Sequence, residues 1–204
     1  MPPKAKHTRE EIVQVAFEMT REKGFDAVTT REIGRRLGTS SSPIFTLFKN
    51  MNEVKQEVRK LAMKKFEGYV ADVRNYSPAF KQFGIKMVEF AINEPKLFQI
   101  LYIDEHEKSA TFDDVVKELG APATDCKELL KEEHNLTDDE AALLFEQVWL
   151  HTFSMCVLIV NNVCCFSQEQ ISRTLSIGFQ GMLGLIKSGS FTDIEVCETA
   201  KANE

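Results

Sequence analysis

The chain reads as all-α, with a three-helix, helix-turn-helix unit at the N-terminus and a helical body behind it. Three observations predict this. Apolar residues recur at three- and four-residue spacing along most of the 204 residues, capping signals open one segment after another, and Gly or Pro falls between the segments. A 43% hydrophobic and 27% charged composition is that of a globular chain of one or two compact units.

The elements follow in order. Pro2-Pro3 precedes a basic arm of Lys4, Lys6, His7 and Arg9, which suits phosphates or a minor groove and equally suits a solubilising tail. Thr8 to Lys23 reads as a helix with Ile12, Val13, Ala16, Phe17 and Met19 on one side, closed by Gly24-Phe25. Thr29 can cap the next helix, its hydroxyl accepting from first-turn amides while Glu32 reaches back to the capping residue's own amide. That helix runs to about Leu37, and Gly38 ends it in a left-handed conformation. Ser40 to Ser42 offer a second cap, for a short helix through Phe48. Pro43 disfavours a helical residue before it, so Ser42 is a candidate for the cap itself. Ile33, Leu37, Ile44 and Phe48 fall where both helices bury them against the first, leaving the start of the second exposed. Such a unit lays one helix in the DNA major groove.

Lys49-Asn50 leads into a long helix from about Met51 to Arg74, broken by Asn75-Tyr76-Ser77-Pro78. Ala79 to Asn93 is helical, and Pro95 opens another helix to about Glu105. The acidic span from Asp104 to Gly120 holds one short helix, and Ala123 to His134 another. Thr137 with Glu140 and Ser167 with Gln170 form capping boxes for two final helices, to about Val163 and Lys187, before a polar tail. The domain division expected from this is 1–50, 51–188 and 189–204.

A glycine-phenylalanine break, a Thr-capped helix, a Gly-x-Ser turn, an "IFTLF" helix and "FKN", in that order, resemble the N-terminal domain of the TetR family of one-component transcriptional repressors. "FAINEPKLFQILY" resembles the same family's regulatory domain. The resemblance implies a homodimer joined by its last two long helices in a four-helix bundle, sitting on a palindromic operator in double-stranded DNA. It also implies a cavity in the C-terminal helices for a small hydrophobic or amphipathic effector, and control that is commonly repression by occlusion. A lysine at the position of Lys49 grips the DNA backbone in the family. Met51 stands where a second lysine is frequent, and Phe45 where tyrosine is usual.

The charge distribution agrees with a DNA surface at one end. Residues 1 to 65 hold 14 Lys or Arg against 8 Asp or Glu, and residues 66 to 204 hold 11 against 23, so the net −6 hides a basic head on an acidic body. Thr29, Thr30 and Arg31 sit at a helix N-terminus, where amides and hydroxyls favour a phosphate. Between Ser40 and Phe48 there is no Arg, Lys, Asn or Gln, so the bidentate pairings that read guanine and adenine are missing from this helix. What remains is Ser41, Ser42 and Thr46 for hydrogen bonds and Pro43 and Phe45 for thymine methyls, with specificity leaning on groove shape.

Fifteen phenylalanines and seven methionines are ample material for an effector pocket. Met87, Phe90, Phe98, Tyr102, Trp149, His151 and Phe153 are the candidate lining, and each fits plain core as well. The two last helices carry Leu143, Leu144, Val148, Leu158 and Ile159, then Leu175, Phe179, Met182, Leu183 and Ile186, enough for an interior and an external face.

An enzyme is not expected, since no nucleophile with a nearby base appears; nor is a metal or cofactor, for want of a ligand cluster or a phosphate-cradling glycine loop. Five cysteines at no metal spacing suit a reducing cytoplasm. No unbroken apolar run approaches a membrane span, and the lysines at the start are not followed by the apolar core of a secretion signal. The alternative to a ligand switch is a helical protein-interaction or redox-sensing regulator using Cys164 and Cys165, with weak DNA binding.

Overall fold

The computed structural model describes residues 7–40, 42–104, 112–119 and 121–190, and among these the chain is helical throughout, with no strand. The order is α1 (Arg9–Lys23), α2 (Thr30–Leu37), α3 (Ser42–Leu47), α4 (Met51–Val70), α5 (Ala79–Asn93), α6 (Pro95–Tyr102), α7 (Phe112–Glu118), α8 (Ala121–His134), α9 (Asp138–Val160) and α10 (Gln168–Lys187). Lys4, Lys6, Ser41, Glu105, Gly120, Cys197 and the tail beyond Ser190 lie outside the described residues.

Helix starts follow their side-chain caps. Thr8 with Glu11, Thr137 with Glu140 and Ser167 with Gln170 each form a complete reciprocal capping box. Thr29 forms only half of one. Its hydroxyl accepts from the Glu32 amide at 3.2 Å, but the Glu32 carboxylate turns to Arg35 at 3.0 Å instead of reaching back. Asn50 caps α4 through the Glu53 amide.

Ends depart from the sequence expectation by several residues. α4 stops at Val70, and a 3-10 turn over Val73–Asn75 replaces its expected last turn. α3 stops at Leu47, leaving Phe48 just past the helix yet 2% exposed. α9 stops at Val160, where Asn162 takes a positive φ of 55°. α3 also begins at Ser42, so Ser42 is its first helical residue rather than its cap.

One apolar cluster runs from head to body. Ile12, Ile33, Ile44 and Phe48 close the head, and Val54, Val58, Ala62 and Phe66 carry the cluster along α4 into the body. There Phe90 and Phe98 are fully buried, and Phe66 packs its ring edge-on against Phe83 at 5.9 Å. Burying each such phenylalanine stabilises the fold by about 1.5–3 kcal/mol. α1 rests on α4 and α6, so the head touches the body at two places. α9 reaches a mean hydropathy of 1.6 and is long and apolar enough to cross a membrane by length and composition, although no unbroken apolar run in it is that long. In the fold it packs against α5, α8 and α10.

Candidate nucleic-acid interface and regulatory cavity

The turn between α2 and α3 is built on two glycines. Gly38, at φ 66° and ψ 33°, ends α2 in the left-handed region that glycine enters without steric cost. Gly34 has a different task. The Thr39 amide donates to the Gly34 carbonyl at 2.9 Å, folding the turn back onto α2 so closely that a Cβ on Gly34 would stand 2.9 Å from the Thr39 carbonyl oxygen. Sequence reading passed over Gly34. Its signal was a glycine inside a short helix, which costs about 0.8–1 kcal/mol relative to alanine and so calls for a packing reason.

From this turn α3 projects with Ile44 1% exposed and Phe45 59% exposed. Phe45 and Thr46 face outward while Ile44 and Phe48 anchor the helix. Ser42 and Pro43 lie in α3, and their side chains, like Ser41, are outside the described residues. Thr29 is exposed at the start of α2, Thr30 is partly exposed, and Arg31 and Lys49 are exposed with no ion-pair partner among the described residues. The neighbouring arginines are engaged, Arg35 with Glu32 at 3.0 Å and Arg36 with Glu22 at 3.1 Å.

Arg9 is not part of a free basic arm. Its guanidinium donates to the Leu47 carbonyl at 2.9 Å and to Glu53 at 2.8 Å, reaches Glu57 at 3.4 Å, and lies 4.2 Å over the Phe48 ring. The last turn of α3 is thereby tied to α4 by hydrogen bonds to a fixed cation. Glu53 is held below the ordinary carboxylate range by the Lys49 amide first and Arg9 second, so the cluster stays charged. His7 likewise meets Glu11 at 3.2 Å, and Lys4 and Lys6 lie outside the described residues.

A second charged contact joins head to body. Arg21 on α1 grips Glu94, between α5 and α6, through two nitrogens at 2.8 and 2.6 Å, and Lys65 on α4 stands 3.5 Å from the same carboxylate. Glu94 is only 7% exposed. Burial alone would raise its carboxyl, but Arg21 and Lys65 outweigh burial and hold it below the ordinary value.

Inside the body, α5, α8, α9 and α10 line a cavity of about 90 Å³ that opens to solvent on one side. Of the sequence candidates, Met87 and Trp149 line it, and Tyr102 lines a smaller void beside it that shares Phe83, Met87, Phe145 and Trp149 as wall. Phe90 and Phe98 are sealed in the core, and Phe153 stacks on Trp149 at 4.9 Å, none of the three lining the cavity. His151 points elsewhere, its Nε2 lying 3.3 Å from the Thr174 carbonyl and only 2.7 Å from where a Cβ on Gly178 would be. Lys81 and His134 line the cavity without having been anticipated, since neither belongs to an apolar stripe. Burial lowers the pKa of His134.

On the outer side of α9 and α10, Leu150, Leu158, Ile177 and Leu185 are exposed, and a Cβ at Gly181 or Gly184 would meet nothing within 4 Å. Leu144, Val148, Leu175, Leu183 and Ile186 of the same helices are buried, so the two faces divide as an interior and an open surface. Burial pushes the thiols of Cys126 and Cys156 up, which makes them inert, whereas Cys164 and Cys165 are exposed between the two helices.

Residues 12–58 match the family described as bacterial regulatory proteins, tetR family, a span from within the first turn of α1 to the first part of α4. No curated protein matches the chain. Among solved structures, that of a protein with unknown function from Rhodococcus sp. RHA1 superposes with a TM-score of 0.62 at 16% identity, covering 90% of this chain and 98% of that one. At that identity the likeness is one of fold.

Proposed function

We infer from its TetR-family helix-turn-helix head that this chain, a DNA-binding regulator, is a ligand-responsive repressor acting in the cytoplasm as a homodimer on a palindromic operator. The observation that carries this is the exposed side of α3, which presents Phe45 and Thr46 at the surface of a head that also carries Arg31 and Lys49, two exposed cations with no ion-pair partner among the described residues. Apolar anchors hold that side outward, and Arg9 fixes the far end of the helix, so the surface is organised before DNA arrives. Thr29, Thr30, Arg31 and Lys49 take phosphates in this reading, and Ser41, Ser42, Pro43, Phe45 and Thr46 meet base edges and thymine methyls.

Two copies join through the open apolar side of α9 and α10, setting their recognition helices about 34–36 Å apart or a multiple of it. The cavity in the body holds the effector, which releases DNA by binding more tightly to the conformation that cannot engage both half-sites. The body comprises residues 51–188, and the head residues 1–50.

The test is a salt titration on duplexes selected from a random pool. Affinity should fall with log salt by about 0.9 per phosphate engaged, and Lys49→Ala should lower that slope by about 0.9. An affinity indifferent to salt, or a Lys49→Ala slope equal to the parent's, removes the proposed interface.

A further inference from the structure

We propose that the cavity between α5, α8, α9 and α10 takes an amphipathic anion, a carboxylate on an apolar body. The proposal rests on reading this cavity as the effector site and adds the chemistry of what enters it. The walls are Phe80, Phe83, Met87, Phe145, Trp149 and Leu175, whose complement is a body without hydrogen-bonding groups.

The polar side chains among the lining residues are Lys81, His134, Thr152, Ser176 and the neutral amide Gln180, and of these Lys81 alone brings a fixed charge that selects the head group. The Thr152 hydroxyl already donates to the Val148 carbonyl and the Ser176 hydroxyl to the Ser172 carbonyl, each at 2.8 Å. Lys81 makes no ion pair or hydrogen bond among the described residues and is the one lysine or arginine lining the cavity, while none of the lining residues is an Asp or Glu. His134 contributes wall and not a contact for the head group, because its Nε2 is sealed away and its ring packs 5.1 Å from that of Phe179. The nearest carboxylate, Glu133, lies 3.9 Å from that nitrogen, too far for a hydrogen bond, and its other oxygen accepts from the Ala79 amide at 2.6 Å.

The Lys81 ammonium donates to an oxygen, and a carboxylate both accepts that hydrogen bond and answers the charge. An alcohol would leave the lysine charge unanswered, and an amine would be repelled by it.

Trp149, the single tryptophan of the chain, lines the cavity and reports its contents by fluorescence. The full-length protein is titrated with octanoate, 1-octanol and octylamine. Octanoate is expected to shift the emission at a Kd at least about tenfold below those of the other two, and Lys81→Met to weaken octanoate about tenfold while leaving octanol unchanged, the loss of one charge-assisted hydrogen bond. Lys81→Gln replaces Lys81→Met if the latter fails to fold by circular dichroism. Octanol or octylamine binding as tightly as octanoate, or octanoate binding unchanged by loss of Lys81, overturns the anion and leaves the cavity an effector site for another class. No response to any of the three compounds overturns both.

Discussion

Replacing Gly34 with alanine lowers stability even though alanine is the better helix former. In an open helix the exchange gains about 0.8–1 kcal/mol. At Gly34 the new carbon would stand 2.9 Å from the Thr39 carbonyl oxygen and 3.2 Å from the Ser40 carbonyl, both main-chain groups, where ordinary contact begins at 3.4 Å. The turn must then retreat, stretching the 2.9 Å bond from the Thr39 amide to the Gly34 carbonyl. Overpacking of this kind costs about 1–3 kcal/mol, and weakening the hydrogen bond about 1 more. Set against the helix gain, the net loss is about 2 kcal/mol, or about 4–8 °C in the melting temperature of a chain this size. Gly68→Ala in α4 is the control, because nothing lies within 4 Å of a Cβ there, and it should stabilise by about 0.5–1 kcal/mol. Calorimetric melting of the two variants beside the parent measures the difference. If both variants melt higher by the same margin, the close approach of turn to helix is not real and the reasoning about this motif fails.

Three further outcomes follow from the geometry. Glu94→Gln should destabilise by about 2 kcal/mol at neutral pH, a figure discounted for the partial exposure of Arg21. Because the folded carboxyl sits below its unfolded value, its contribution is complete above about pH 5 and is lost as pH falls through the folded pKa, so parent and variant stabilities should converge in acid; parallel curves there would refute the role of the pair. Ile177→Asp, at a residue 63% exposed on α10, should shift the protein from dimer to monomer in sedimentation at micromolar concentration, and an unchanged mass would place the interface elsewhere. Replacing guanine by 7-deazaguanine opposite α3 should cost less than the roughly 1–3 kcal/mol of a bidentate contact, whereas thymine-to-uracil exchange should weaken binding measurably; the reverse ranking would mean another element reads the groove.

Helix starts were legible because a cap and its partner three residues on are local chemistry, as at Thr8 and Glu11 or Ser167 and Gln170. Thr29 shows the limit of that rule, since Arg35 competes for the Glu32 carboxylate, and a competitor is not part of the capping pattern. The head was read almost whole, its apolar anchors Ile33, Ile44 and Phe48 being set by helical periodicity alone. Arg9 was misread as free charge because its carboxylate partners lie 44 and 48 residues away. The cavity was legible in kind but not in outline. Periodicity says which side of a helix turns inward, not where the interior leaves a gap. Phe90 and Phe98 therefore looked no different from Met87 and Trp149, and Lys81 and His134 gave no apolar signal.

The grip of Arg21 on Glu94 bears on how freely this chain's parts can be exchanged. A head grafted onto a foreign body would arrive with a guanidinium that has lost its acceptor, and the body left behind would keep a carboxylate shut away from water beside Lys65 alone. Chimaeras of this protein should therefore be cut so that α1 travels with the joint between α5 and α6, or be given a matching acid at the new seam.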